Sequence, residues 1–184
     1  MVWRNTDNSY GLVAVLMHWL VAVATVGLFA IGLWMTNLTY YDPWYKRLPE
    51  LHKGVGVLLF AAMLLRLAWR YLDPQPSPLA TLSALERAAS AVTHVALYAL
   101  LFSAILSGYL ISTADGRPID VFGLFQVPAT LMGLPNQADI AGKIHFALAI
   151  ATITLAAVHV LAALKHHFVD GDRTLLRMLG LSKR

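Results

Sequence analysis

From Gly11 to Met35 the chain carries no charged side chain, and that uninterrupted stretch constrains its fold more than any other feature. It exceeds the roughly 20 apolar residues needed to cross about 30 Å of hydrocarbon. It is also longer than the apolar core of a cleaved signal peptide, about 7–15 residues. Three more apolar runs follow, at about 51–71, 88–112 and 142–168. Charged residues make up only 13% of the sequence and hydrophobic residues 58%, where a soluble domain carries about 25% charged. Mean hydropathy is +0.62. Backbone polar groups in lipid must be satisfied within the segment, so the pattern predicts an all-α membrane protein, a bundle of four transmembrane helices forming one domain over residues 1–184. The second run bears Arg66 and Arg70 in its last turns, positions from which long arginine side chains reach the headgroups. Prolines fall in all three connections, and no internal repeat or low-complexity segment interrupts them.

The formal charge of +4 could suggest nucleic acid, but in a membrane protein basic loops mark the cytoplasmic face, and no nucleic-acid partner is expected. One side of the predicted bundle carries Arg4, Arg66, Arg70, Arg87, Lys165, Arg173, Arg177, Lys183 and Arg184; the other carries Lys46, Arg47, Lys53, Arg117 and Lys143. The excess on the first side predicts that both termini are cytoplasmic. Cysteine is absent, which excludes disulfides, thiolate-held iron–sulfur clusters and covalently attached c-type haem. A metal or cofactor would have to be held by His, Met, carboxylates or backbone.

Histidine supplies the chemistry. Five of the seven histidines, His18, His52, His94, His145 and His159, lie inside the apolar runs, short of the His166–His167 pair that ends the fourth, where an ionisable side chain is costly and marks function. His145 and His159 are fourteen residues apart on the fourth run. At about 100° per residue that interval falls roughly 40° short of four turns, so both share a face, separated by roughly 21 Å. They cannot chelate one ion; they suit two separate sites. Matching depth across the alternating helices pairs His52 with His145, and pairs His159 with His18 or with His94, which spacing alone does not separate. A second role for His94, beside a propionate or a quinone, is the alternative. Facing imidazoles in a helix bundle suit bis-histidine haem ligation, and Gly27, Gly54, Gly56 and Gly142 would leave room for a macrocycle or simply let helices pack closely. Arg66, Arg70, Lys53 and Lys143 are candidates to pair with haem propionates, with headgroup anchoring as the other role. His166 and His167 close the fourth run, as a proton-handling or quinone-side pair or as solvated interfacial residues.

At these residues the sequence resembles the bacterial di-haem cytochrome b561 family and, more distantly, the cytochrome b subunits of membrane-bound formate dehydrogenases and hydrogenases. The resemblance covers nearly the whole chain. It runs through M-H-W-L at Met17–Leu20, E-L-H-K-G at Glu50–Gly54, H-V-A-L-Y-A-L-L-F at His94–Phe102, K-I-H at Lys143–His145, the interval to His159, A-L-K-H-H-F at Ala163–Phe168 and T-L-L-R-M at Thr174–Met178. It implies two haem b groups stacked across a bacterial inner membrane, His18 and His159 holding the cytoplasmic one and His52 and His145 the periplasmic one, with His94 outside the ligand set. It also implies electron transfer between the periplasmic side and the quinone pool, ubiquinone being the candidate carrier. The long third connection, residues 113–141, looks like an elaborated periplasmic cover whose redox partner is unnamed.

The function expected is therefore a transmembrane electron-transfer cytochrome whose catalytic activity, if it has one, is that of a quinone oxidoreductase. No serine–histidine, carboxylate-pair or phosphate-loop motif accompanies the histidines. Two other classes are weighed against it. A haem-bearing anchor for a separate dehydrogenase would hold a stable partner in mild detergent, and a non-redox transporter or metal-handling protein would purify colourless.

Overall fold

In the computed structural model, residues 2–181 are described; Lys183 and Arg184, counted above in the charge asymmetry, lie outside them. The elements are α1 (Leu12–Met35), α2 (Arg47–Leu72), α3 (Ala84–Ser112), β1 (Ile119–Val121), β2 (Phe125–Val127), α4 (Gln137–Phe168) and α5 (Thr174–Met178). The four long helices are each apolar and long enough to cross a membrane. Only 6–11% of each apolar window is buried within the protein, so side chains such as Leu20, Val23, Leu65 and Leu161 face outward. Water would not tolerate that surface; lipid does. The protein is an integral membrane protein.

The last three long helices begin upstream of the apolar runs. At α3, Ser83 and Glu86 form a capping box: Glu86 N–H donates to Ser83 Oγ at 3.2 Å, and Ser83 N–H to Glu86 Oε2 at 3.0 Å. Satisfying these end donors lets polar residues join the helix. At α2, Pro49 sits in the first turn, where its missing N–H costs no helical bond.

The chain divides into two compact units, and every long helix contributes a segment to each. The first comprises Ala62–Tyr98 with the described residues of Met1–Val21 and Thr154–Arg184. Its apolar core includes Val15, Val21 and Met63. Buried polar groups tie its ends together. Asp73 accepts from Arg4 Nε at 3.0 Å and from Asn5 N–H at 2.8 Å. Arg177, on α5, donates to the carbonyls of Asn8 (2.8 Å) and Ser77 (3.0 Å), and Trp19 Nε1 donates to the Met178 carbonyl at 2.9 Å.

The second unit comprises Ala22–Ala61 and Ala99–Ile153. Its core includes Leu28, Leu48, Leu59, Ala104 and Ala141, together with Ile119 and Val121 from β1. Here the long third connection contains an antiparallel hairpin with Ile119 opposite Val127 and Val121 opposite Phe125. Two side chains fasten it to the helices. Tyr109 Oη donates to the Pro128 carbonyl at 2.8 Å and accepts from Thr130 N–H at 2.8 Å. Gln137 Nε2 donates to the carbonyls of Leu110 and Leu131, both at 3.0 Å.

Candidate functional site

Each unit contains histidines turned toward one another. In the second, His52 of α2 and His145 of α4 have ring centres 6.1 Å apart, their planes at 77°. His145 Nδ1 lies 2.8 Å from the Ala104 carbonyl oxygen. A carbonyl only accepts, so Nδ1 carries the proton and Nε2 keeps its lone pair. Ser107, buried, donates to the same carbonyl at 2.8 Å and lies 3.2 Å from His145 Nδ1. His52 Nδ1 is buried and makes no hydrogen bond among the described residues.

Glycines adjoin both rings, and at Gly108 the fit leaves little room for a side chain. A Cβ on Gly108 would meet the His145 ring at 3.2 and 3.3 Å, and one on Gly32 would meet His52 Cε1 at 3.4 Å. Neither glycine is singled out by sequence patterning, because each serves a ring on another helix. The two histidines line a cavity of about 530 Å³, with Gly56, Gly142, Ala149 and Lys53 also on its wall. That volume falls in the roughly 300–1,000 Å³ range of cofactor sites. Gly54 does not face free space: the Phe122 ring fills it.

In the first unit three histidines gather. The His159 ring centre lies 6.4 Å from that of His18 and 5.2 Å from that of His94. Arg66 leaves the headgroup direction and turns inward: its Nη2 donates to His18 Nδ1 at 2.9 Å, with the guanidinium 5.5 Å from the centre of the Tyr98 ring. Because guanidinium only donates, Nδ1 of His18 is the acceptor, and a neutral ring then carries its proton on Nε2. Arg70 and Lys143 are exposed. His166 Nδ1 lies 2.8 Å from Asp170 Oδ2 and 3.3 Å from Asp172 Oδ2, while His167 rests edge-on against Phe168. The donor atoms of Glu86, His166 and Asp170 lie within 4.8 Å of one another. Lys165 Nζ already stands 3.0 Å from Glu86 and 2.7 Å from Asp170, which makes this an ion-pair cluster with its own cation.

The donor set can be tested against haem iron. Two metal–nitrogen bonds of about 2 Å, each with about 1.1 Å from nitrogen to ring centre, require ring centres roughly 6 Å apart. The His52–His145 and His18–His159 separations fit an interposed iron; His94–His159 is too short. Neutral imidazoles in an apolar cavity are the ligands that b-type haem takes.

Four apolar helices with inward-facing histidine pairs are the architecture of a membrane cytochrome. The chain belongs to the prokaryotic cytochrome b561 family, whose pattern it matches over residues 9–181. It is 52% identical over 182 residues to cytochrome b561 homolog 2 of Escherichia coli K12, covering 99% of this chain and 97% of that protein. It is 28% identical over 173 residues to the probable superoxide oxidase CybB of Yersinia pestis (94% and 96% covered). With cytochrome b561 homolog 1 of E. coli K12 it shares 26% identity over 176 residues (94% and 97%). The protein is thus a transmembrane b-type cytochrome of electron transport, and its family implies haem b.

Proposed function

We propose that residues 1–184 act as one membrane domain holding two haem b groups, one between His52 and His145 and one between His18 and His159, and that the protein exchanges electrons between the periplasmic side and the quinone pool of a bacterial inner membrane, with both termini cytoplasmic. The observation that carries this reading is the recurrence, once in each unit, of imidazole centres 6.1 and 6.4 Å apart. Bound haem would supply one-electron chemistry. The side chains bind, orient and insulate. The Ala104 carbonyl holds the proton of His145 on Nδ1, which aims Nε2 inward and strengthens it as a ligand. Arg66 and Lys53 would neutralise propionates by charge-assisted hydrogen bonds, and Arg70 would do so from the surface. His94, in contact with His159, packs against the ligand without replacing it. The mostly apolar wall of the second unit's cavity keeps water out, which favours a stable low-spin pair of ligands.

A reduced-minus-oxidised visible spectrum, with haem counted per chain, tests the reading. Two low-spin haems b are expected in the purified protein, and one in each of His145→Ala and His18→Ala. Full haem content in both variants would overturn the ligand assignment. Reduction by a quinol analogue in native membranes tests the quinone side, and no reduction there would remove it.

A further inference from the structure

The turn between β1 and β2 has a backbone that its sequence does not favour. Leu124 N–H donates to the Val121 carbonyl at 3.0 Å, and both central residues have positive φ, Phe122 at 56° and Gly123 at 72°. That combination suits Asn, Asp or Gly; for a bulky aromatic it is strained. The strain has a visible compensation. The Phe122 ring lies on the backbone of Gly54, so close that a Cβ there would stand 2.7 Å from Cζ and 2.9 Å from Cε2. Gly54 is two residues from His52. The same hairpin buries Val121 completely and places Ile119, 3% exposed, in the wall of the cavity that His52 and His145 line. Asp120 Oδ2 accepts from Gly123 N–H at 2.8 Å and braces the turn.

We propose that Phe122 is a specificity-determining latch: seated on Gly54, it holds β1 over the His52–His145 cavity and bars small hydrophilic electron carriers from the cofactor of this unit. The proposal rests on the reading that these two histidines hold haem. A turn with Asn or Gly at this position would form without strain but would have no ring to seat. Phe122, half-exposed, meets Gly54 with the tip of its ring. Glycine at position 54 is what admits the ring.

The chain's lack of cysteine allows a direct test. Ser112 lines the cavity, and Ser112→Cys places a single thiol there in the full-length, haem-loaded protein. Labelling by a charged, membrane-impermeant maleimide should be slow in that background. It should be severalfold faster with Phe122→Ala or Gly54→Ala added, and no faster still with both, because each removes the same contact. Phe122→Leu should restore slow labelling, and Phe122→Asn should label fast even where relief of strain raises the melting temperature. Oxidation of the reduced protein by ferricyanide, one electron passing to give ferrocyanide, should accelerate in the same variants. Equal labelling in all backgrounds, or faster labelling without faster ferricyanide oxidation, would overturn the proposal. If His52→Ala and His145→Ala kept their haem, the ligand reading would fail while the labelling pattern still decided the latch.

Discussion

The two units solve one problem, holding a pair of imidazoles in an apolar surrounding, by different means. In the second, a histidine is oriented by backbone: the Ala104 carbonyl accepts the hydrogen bond from His145 Nδ1, and Gly108 supplies the space. In the first, it is oriented by a charge: Arg66 donates to His18, and a third histidine crowds His159. A carbonyl leaves Nε2 free for a metal as it stands. An arginine does not, so His18 can offer Nε2 to iron only if Arg66 shifts or the ring gives up its remaining proton. One unit is shaped in advance for its ligand and the other must respond to it.

The largest expected effect tests which histidines belong to the pairs. His18→Ala should lose one haem per chain, whereas His94→Ala should keep both, shifting at most the spectrum of the haem on His159. Haem counts by pyridine haemochrome decide it. Loss of a haem from His94→Ala with none lost from His18→Ala would exchange the two assignments and erase the contrast drawn through Arg66.

Next in size is the space that glycine provides. In Gly108→Ala the methyl would stand 3.2 Å from His145 Cε1, and the ring, pinned by Ala104, cannot retreat freely. Overpacking of this kind costs roughly 1–3 kcal/mol. Haem should bind more weakly in the second unit alone, visible as loss of one low-spin signal on titration with a haem scavenger while the other persists. Equal weakening of both signals would mean that the glycine serves the fold rather than the site.

How far such features can be read from sequence follows from what sets them. The four spans are legible because an apolar run of sufficient length has few alternatives in lipid. The pairing of His52 with His145 is legible because helix geometry fixes depth. His18 and His94 share a depth, which does not separate them; the family resemblance sets His94 aside, and their ring centres lie 6.4 and 5.2 Å from that of His159. Gly32 and Gly108 are invisible in advance, since their partners are rings on other helices. Arg66 reads as a snorkelling residue by position, yet Tyr98 and His18 offer it partners inward. The hairpin is hidden by its brevity and by Phe122 where a turn residue is expected.

The charge in the first unit gives a smaller effect with a definite sign. Arg66→Leu removes a positive charge beside His18, which favours the oxidised state, so the midpoint potential of one haem should fall. A unit charge acting over roughly 8 Å at an effective dielectric of about 20 is worth about 2 kcal/mol, or roughly 90 mV for one electron. Potentiometric titration should show one component moving and the other fixed. Movement of both, or of neither, would remove the distinction between a charge-oriented and a backbone-oriented ligand.

The smallest effect probes the backbone side of the comparison. Ser107 Oγ and His145 Nδ1 both approach the Ala104 carbonyl, each at 2.8 Å, so the oxygen's two lone pairs serve two donors. Ser107→Ala removes one donor and leaves the other in sole possession. No buried donor is orphaned, so the cost should stay within about 0.5–1.5 kcal/mol. Relieved of a competitor, the bond from His145 should shorten and raise the electron-donating strength of the ring. Haem content should be unchanged, and the second unit's potential should fall slightly while the first unit's holds. A rise in that potential, or loss of the haem, would show that Ser107 orients His145 directly, and the second unit would then depend on a side chain just as the first depends on Arg66.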